Sequence, residues 1–408
     1  MTQSETPNPL KDTKVFQPIT VGKHQLTHRV VHAPSTRLRA TNDHVPSQLT
    51  VQYYDEHSKT PGSLIVVEAT YVAPLATGQS NAPGIWNDAQ TQAWKAVVDK
   101  VHANQSKIAS QLWFLGRKAD PNFLKQRKID YVSASAIYDS EQAEAKAKEA
   151  EWPLRALTTE EVENLVEEVY PKAARNALEG ANFDYIELHG AHGYLLDQFL
   201  SPESNHRTDK YGGSIENRSR FILELIDRLG SEFGYDKVAI RISPWRNQDG
   251  MKGRESAVHP VVNYGYLLSE LQRRADQGKE VAYVSVLDPR VNDTKANVID
   301  HENENLDFVP LIWKGKIIRA GNYTYDSPKF KRIVDDVDND RTLIAFSRYF
   351  TSNPDLVARL RDGLVLEPYD RQYFYYGNNW SYNTWNNYGE SKTWDKDEEL
   401  KVELKPAQ

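Results

Sequence analysis

Two histidines and a tyrosine stand close together near the middle of the chain, in the run His189-Gly-Ala-His192-Gly-Tyr194. Three kinds of chemistry use residues at this spacing. On a regular helix, positions i and i+3 share a face and can bind a metal, with Glu187 or Asp197 as a third ligand. In a loop, two imidazole N–H groups can converge on one substrate oxygen, with the phenol beside them as a proton source. The third reading is structural, with both rings capping the end of a strand. The two glycines favour a loop, and no third ligand has metal-motif spacing, so no metal is expected. Two donors with an adjacent phenol is the reading carried forward. Histidines standing alone, such as His24, His28, His102 and His259, are expected on the surface or in packing.

The elements that must hold this loop can be read from the hydrophobic pattern. Short β-branched runs recur at residues 29–32 (RVVH), 63–69 (SLIVVEA), 107–113 (KIASQLW) and 183–188 (FDYIEL). Four more follow at 237–243, 281–287, 316–320 and 342–346. Each has the length of a buried strand. Helical patterns lie between most of them. Residues 158–180 open with Thr158 as an N-cap and acids in the first turn, and close at Gly180. Pro171 inside this stretch predicts a kink or a split into two helices. Residues 214–230 and 353–363 follow the same capped plan. Eight strands alternating with helices predict an α/β fold, a single closed (β/α)8 TIM barrel spanning residues 1–408. An open doubly wound sheet is the rival, but no Gly-x-Gly-x-x-Gly follows a strand and there is no P-loop.

Such a barrel needs only ~250 residues. The surplus is assigned to an insertion after the third strand, at about 115–157, and to a C-terminal extension, 365–408. The insertion carries a charged helical piece, 141–151, expected to be a solvated surface helix. The extension holds nine aromatic residues between 369 and 388. So much ring area predicts a segment packed over the barrel mouth rather than a disordered tail.

Chemistry in this fold sits at the C-terminal ends of the strands. Those ends carry Thr36, residues 68–70, Gln111, His189, Arg241, residues 287–288, residues 321–322 and residues 347–348. No lysine is among them, which argues against a Schiff-base aldolase. Only Glu68 and Asp288 are acidic there, on strands two and six across the barrel, so a glycosidase pair has little support. An anion site has more. Barrels commonly bind phosphate in the loops after strands seven and eight, which here read Ala320-Gly321-Asn322 and Ser347-Arg348. Gly321 lets backbone N–H groups approach, Arg348 can clamp bidentately, and a helix starting at Asn353 would add its dipole. The competing reading is a glycine turn beside a surface arginine.

Composition narrows the chemistry further. The chain has 408 residues, no cysteine, and 50 basic against 57 acidic side chains, for a net charge of −7. Thiolate nucleophiles, disulfides, iron–sulfur clusters and cysteine zinc sites are thereby excluded. No global field favours nucleic acid or acidic lipid. The first ten residues lack a basic start and an apolar stretch, and no apolar run approaches the ~18 residues of a membrane span. A cytoplasmic location is expected by elimination. With no thiol and no metal site, any redox chemistry must be borrowed from a bound cofactor.

The run 184–220 (DYIELHGAHGYLLDQFLSPESNHRTDKYGGSIENRSR) resembles the Old Yellow Enzymes, a family of FMN-dependent NADPH oxidoreductases. Supporting stretches lie at 33–37 (APSTR), 111–117 (QLWFLGR), 238–245 (VAIRISPW), 319–322 (RAGN) and 347–360 (SRYFTSNPDLVARL). The chain is most similar to the yeast members. The resemblance implies the same barrel, with FMN as cofactor and NADPH as electron donor. It further implies that Thr36 bonds the flavin C4 carbonyl, Gln111 the pyrimidine edge, and Arg241 the region of N1 and C2=O. Ala69 would lie against the flavin, and Gly321, Asn322, Ser347 and Arg348 would hold its phosphate. His189 and His192 would grip the carbonyl oxygen of the substrate, Tyr194 would act as general acid, and Trp113 and Tyr375 would line the substrate cavity.

The implied reaction is that of an ene-reductase: hydride adds to the β-carbon of an α,β-unsaturated carbonyl or nitro compound while Tyr194 protonates the α-carbon. Implied partners are electron-poor alkenes and phenolic ligands, with the protein a monomer or homodimer. Four departures bear on substrate scope. His192 stands where many relatives have Asn, Ser347 where Gly is commoner, and Gln79 where an aromatic is frequent. The stretch 292–297 (NDTKAN) is polar rather than aromatic. Two other classes stay open: a phosphate-ligand barrel enzyme without flavin, and a flavoprotein that binds phenols or steroids with little turnover.

Overall fold

The computed structural model describes residues 6–289 and 304–408. Eight parallel strands form a ring: β1 (Val30–His32), β2 (Leu64–Val66), β3 (Lys107–Trp113), β4 (Tyr185–Gly190), β5 (Val238–Ile242), β6 (Tyr283–Leu287), β7 (Ile317–Ala320) and β8 (Thr342–Phe346). Each pairs with the next, and β8 returns to β1 with Ile344 opposite Val30, so the barrel has no open edge. Strands covered on both faces should read as continuous apolar runs. Every residue of β4, β5 and β8 is buried.

The N-terminal end of the barrel is plugged. An antiparallel hairpin, Ile19–Val21 with His24–Leu26, sets Ile19, Val21 and Leu26 against the lower strand residues. The Tyr185 hydroxyl donates to the Val21 carbonyl at 2.8 Å. The opposite end is left for the site.

Two helices differ from expectation. The stretch from Thr159 to Gly180 is helical throughout, with two π turns within it, so Pro171 does not split it in two. In the first, Leu165–Val169, the Tyr170 N–H bonds Leu165 five residues back. That extra residue opens the ladder just before Pro171, which has no N–H to give and whose ring needs room. Its N-terminus is the expected one: Thr158 and Glu161 form a reciprocal capping box. After β8, Asn353 does not start a helix. A 3-10 turn, Arg348–Thr351, comes first, and the α-helix begins at Leu356 and stops at Gly363, φ 70°. The Asn353 side chain instead donates to the Tyr349 and Glu367 carbonyls and accepts from the Glu367 N–H.

After β3 the chain forms two short helices, Pro121–Arg127 and Glu141–Glu149, and a small parallel pair, Val132–Ser133 with Arg155–Ala156. Glu141–Glu149 buries only Ala147, as a solvated helix should. The aromatic C-terminal stretch packs onto the segment that follows β1. Arg37 donates to the carbonyls of Phe374 (3.1 Å) and Ser381 (2.9 Å), and Arg39 to those of Asn378 (3.0 Å) and Tyr373 (2.8 Å). Tyr382 stacks on Tyr53 with ring centres 4.4 Å apart. Among the described residues, no helix is long and apolar enough to cross a membrane.

Candidate active site

A cavity of about 610 Å³ opens at the C-terminal ends of the strands, within the range of cofactor and substrate sites. The residues marked out in the sequence converge on it. β1, β2 and β3 bring Thr36, Ala69, Gln111 and Trp113; β4 and its loop bring His189, His192 and Tyr194; β5 brings Arg241. Gly321, Asn322, Ser347 and Arg348 follow β7 and β8, and Tyr375 comes from the C-terminal segment. Gln79 lines it as well. The polar stretch 292–297 lies outside the described residues.

Glu68 and Asp288 do not line the cavity. The Glu68 carboxylate accepts the Arg37 N–H, and burial pushes its pKa up to about 7. Asp288 is paired with Arg319 at 3.0 Å and accepts from Tyr323 at 3.1 Å. A glycosidase pair is therefore ruled out by geometry.

The β4 loop is a strained turn held from three sides. His192 and Gly193 both have left-handed backbones, φ 60° and 72°. The His192 N–H donates to Ser243 Oγ at 2.8 Å, and the Gly193 N–H to Asp197 Oδ2 at 2.9 Å. Tyr264 donates to the other Asp197 oxygen at 2.6 Å. Because the segment is a turn, the i, i+3 helical geometry for a metal does not arise. Ring centres of His189 and His192 lie 5.4 Å apart, and that of Tyr194 is 4.8 Å from His189 and 6.5 Å from His192. Tyr194 stands edge-on to Trp113 at 5.0 Å, and Trp113 stacks on Tyr71 at 4.7 Å.

Burial, reinforced by neighbouring cations, holds both imidazoles well below their ordinary pKa. At neutral pH each is uncharged and carries one N–H. His189 Nδ1 is buried with no hydrogen-bond partner in the protein.

Around the barrel from this loop, polar residues pair in register inside otherwise apolar strands. Gln111 faces Glu187 and donates to it at 2.6 Å; His189 faces Arg241. Burial raises the Glu187 pKa, and Arg241 and Gln111 oppose that rise. By sequence Glu187 stands out only as a candidate third metal ligand. Its role beside Gln111 is visible in sequence only once the strand register is known. On the far side, Gly321 has φ 152°, and a Cβ there would meet Asp288 Cβ at 2.4 Å, so the turn after β7 requires glycine. Ser347 Oγ lies 2.6 Å from Ser35 Oγ. The charged side chains lining the cavity are Arg37, Lys118, Arg241, Arg246, Arg348 and Arg371, all cationic. Such a cavity suits a phosphorylated, electron-accepting ligand. Nothing in the local sequence marks Lys118, Arg246 or Arg371 as lining residues.

Residues 14–367 match the NADH:flavin oxidoreductase / NADH oxidase family. The chain belongs to that family. It is 48% identical over 379 residues to a probable NADPH dehydrogenase of Candida albicans, covering 92% of each chain. It is 39% identical to enoate reductase 1 of Kluyveromyces lactis, covering 90% of this chain and 92% of that one. The crystal structure of an Old Yellow Enzyme from a Pichia species superposes with a TM-score of 0.91 at 44% identity, covering 98% of this chain and all of the other. As an Old Yellow Enzyme relative, the protein is an oxidoreductase whose cofactor is FMN and whose electron donor is NADPH. The cationic lining and the unpartnered His189 Nδ1 fit that cofactor and a ligand beside it. The reading as a flavin-less barrel enzyme falls away.

Proposed function

We propose that the protein is an ene-reductase acting on α,β-unsaturated carbonyl and nitro compounds. The observation that carries this reading is the convergence of two neutral imidazoles and a phenol at one side of the cavity. Gly321, Asn322, Ser347 and Arg348 would hold the FMN phosphate, Gln111 and Arg241 its pyrimidine edge, with Thr36 and Ala69 along the ring. When bound and reduced by NADPH, FMN supplies the hydride that adds to the β-carbon.

The residues of the β4 loop do the rest. His189 and His192 each donate an N–H to the carbonyl or nitro oxygen. Negative charge grows on that oxygen as the reaction proceeds, so both hydrogen bonds strengthen toward the transition state. Tyr194 delivers its hydroxyl proton to the α-carbon, from the face opposite the hydride, giving trans addition. Trp113 and Tyr375 bound the space in which the alkene lies.

Stopped-flow measurement of the two half-reactions with 2-cyclohexenone tests the assignment. Tyr194→Phe is expected to slow alkene reduction ~10²-fold more than NADPH oxidation. Equal slowing of both halves would sink the role given to Tyr194. A wild-type enzyme that binds phenols but does not turn over enones would establish the low-turnover alternative.

A further inference from the structure

Of the six cations that line the cavity, Arg241 and Arg348 are the two assigned to the cofactor. Arg37 gives its guanidinium donors to the carbonyls of Phe374 and Ser381. Arg241 belongs with Glu187 and the strand floor, and Arg348 with the turn after β8. Arg371 sits on the C-terminal segment, its guanidinium over Phe374. Lys118 and Arg246 lie elsewhere, on the loops after β3 and β5 that flank the β4 loop.

These two side chains are only 17% and 10% exposed. Both bond the same oxygen of Asp249: Lys118 Nζ at 2.6 Å, and Arg246 through Nη2. Asp249 is not part of the cavity lining, whereas both cations are. Other charges near them are already engaged. Asp197 takes the Tyr264 hydroxyl and the Gly193 N–H, and Arg117 donates to the Asp249 carbonyl at 2.9 Å. Asp139 also faces Arg117 and Lys118.

Lys118 also reaches the reacting groups. Its Nζ lies 4.8 Å from the Tyr194 ring centre and 3.3 Å from the His192 carbonyl. Positive charge thus lies within one substituent's length of the groups assigned to the alkene. Two partly desolvated cations sharing one carboxylate at a cavity wall form a receptor for a second anion.

We infer that Lys118 and Arg246 form an anion subsite, and that the preferred alkene carries a carboxylate in addition to the carbonyl gripped by the histidines. This rests on the ene-reductase reading above. NADPH is also anionic, but its 2′-phosphate sits a dinucleotide's length from the nicotinamide that must reach the reaction centre. Both cations lie beside that centre.

The test uses the FMN-loaded enzyme and a matched pair of oxidants, (E)-4-oxo-2-pentenoate and its methyl ester. The acid is expected to exceed the ester in kcat/KM by about tenfold or more, as one charge-assisted contact in a partly buried site provides. Lys118→Met and Arg246→Met should each lower this acid-to-ester ratio by about tenfold, and Lys118→Arg should restore most of it. A merely structural role for the pair would leave the ratio unchanged. Bound FMN, read from its absorbance, verifies the fold of each variant. Equilibrium binding of the saturated acid 4-oxopentanoate against its methyl ester supplies a readout without turnover. Ester reduced as well as acid by the wild type overturns the subsite while leaving the ene-reductase reading intact. Reduction of neither compound overturns that reading instead. Variants that weaken NADPH binding at an unchanged acid-to-ester ratio assign the cations to the nucleotide and reject the proposal.

Discussion

In the role proposed for them, His189 and His192 would donate as neutral rings, each through one N–H. Their surroundings are cationic and largely dry, so protonation would place a further positive charge beside Arg241, Lys118 and Arg246. An uncharged pair still gives two N–H groups, enough to hold one anionic oxygen. A phenolate presents such an oxygen without being reducible. Changing both His189 and His192 to Ala should weaken binding of a p-substituted phenol by ~10²-fold or more, since two charge-assisted hydrogen bonds are lost. Spectral titration of the FMN-loaded protein measures this, and an unchanged dissociation constant would remove the pair from the oxygen site. The types and spacing of these residues were legible in sequence. Their protonation was not, because it depends on burial and on cations that come from the loops after β3 and β5.

At the scale of elements, the strands were readable and two helices were not. A strand buried on both faces leaves a dense apolar signature, and the eight runs fall on the eight observed strands to within a few residues. Pro171 does not split its helix because a π turn can absorb a proline without breaking the run, and nothing local announces one. The capped pattern at Asn353 misled because its side chain serves a tertiary contact with Glu367. One residue joins the elements around the β4 loop. Gln198, on the helix Leu195–Leu200, donates to the carbonyls of Leu115 and Gly193 and accepts from the Arg117 N–H and the Ser133 hydroxyl. Gly116 leaves room for it: a Cβ there would stand 2.1 Å from Gln198 Oε1. Gln198→Leu strands four buried partners and should cost about 3 kcal/mol with a lower Tm and slower alkene reduction. Thermal unfolding followed by circular dichroism checks it; an unaltered Tm would show that the loop does not depend on this clamp.

Several histidines in the molecule are held below their ordinary pKa by desolvation. Burial lowers His28 and His57 to about 4, and lowers His32, His189 and His192 as well. An unfolded chain takes up these protons near pH ~6.5, where the folded one does not, so each histidine loses its stabilising contribution as pH falls below that value. Buried carboxyls act in the other direction. Glu68, raised to about 7, and Asp197, raised to about 6, bind protons more readily in the folded state and favour it as pH falls from 7. The histidines are more numerous, so Tm is expected to drop by several degrees between pH 7 and pH 5. Differential scanning calorimetry measures this directly; a Tm equal or higher at pH 5 would mean that the carboxyls prevail.

The amino-acid sequence by itself determined the barrel, the order of its strands and the residues at their ends, because each rests on local periodicity and side-chain type. The absence of any thiol also narrowed the redox chemistry open to the chain and pointed to a borrowed cofactor. Only the tertiary structure decided which acids are engaged in structural ion pairs, that the two imidazoles are neutral, and that Lys118 and Arg246 face the cavity around Asp249. Those properties belong to contacts between residues far apart in the chain. Desolvation and charge pairing depend on what the fold brings together, and local sequence carries little record of either.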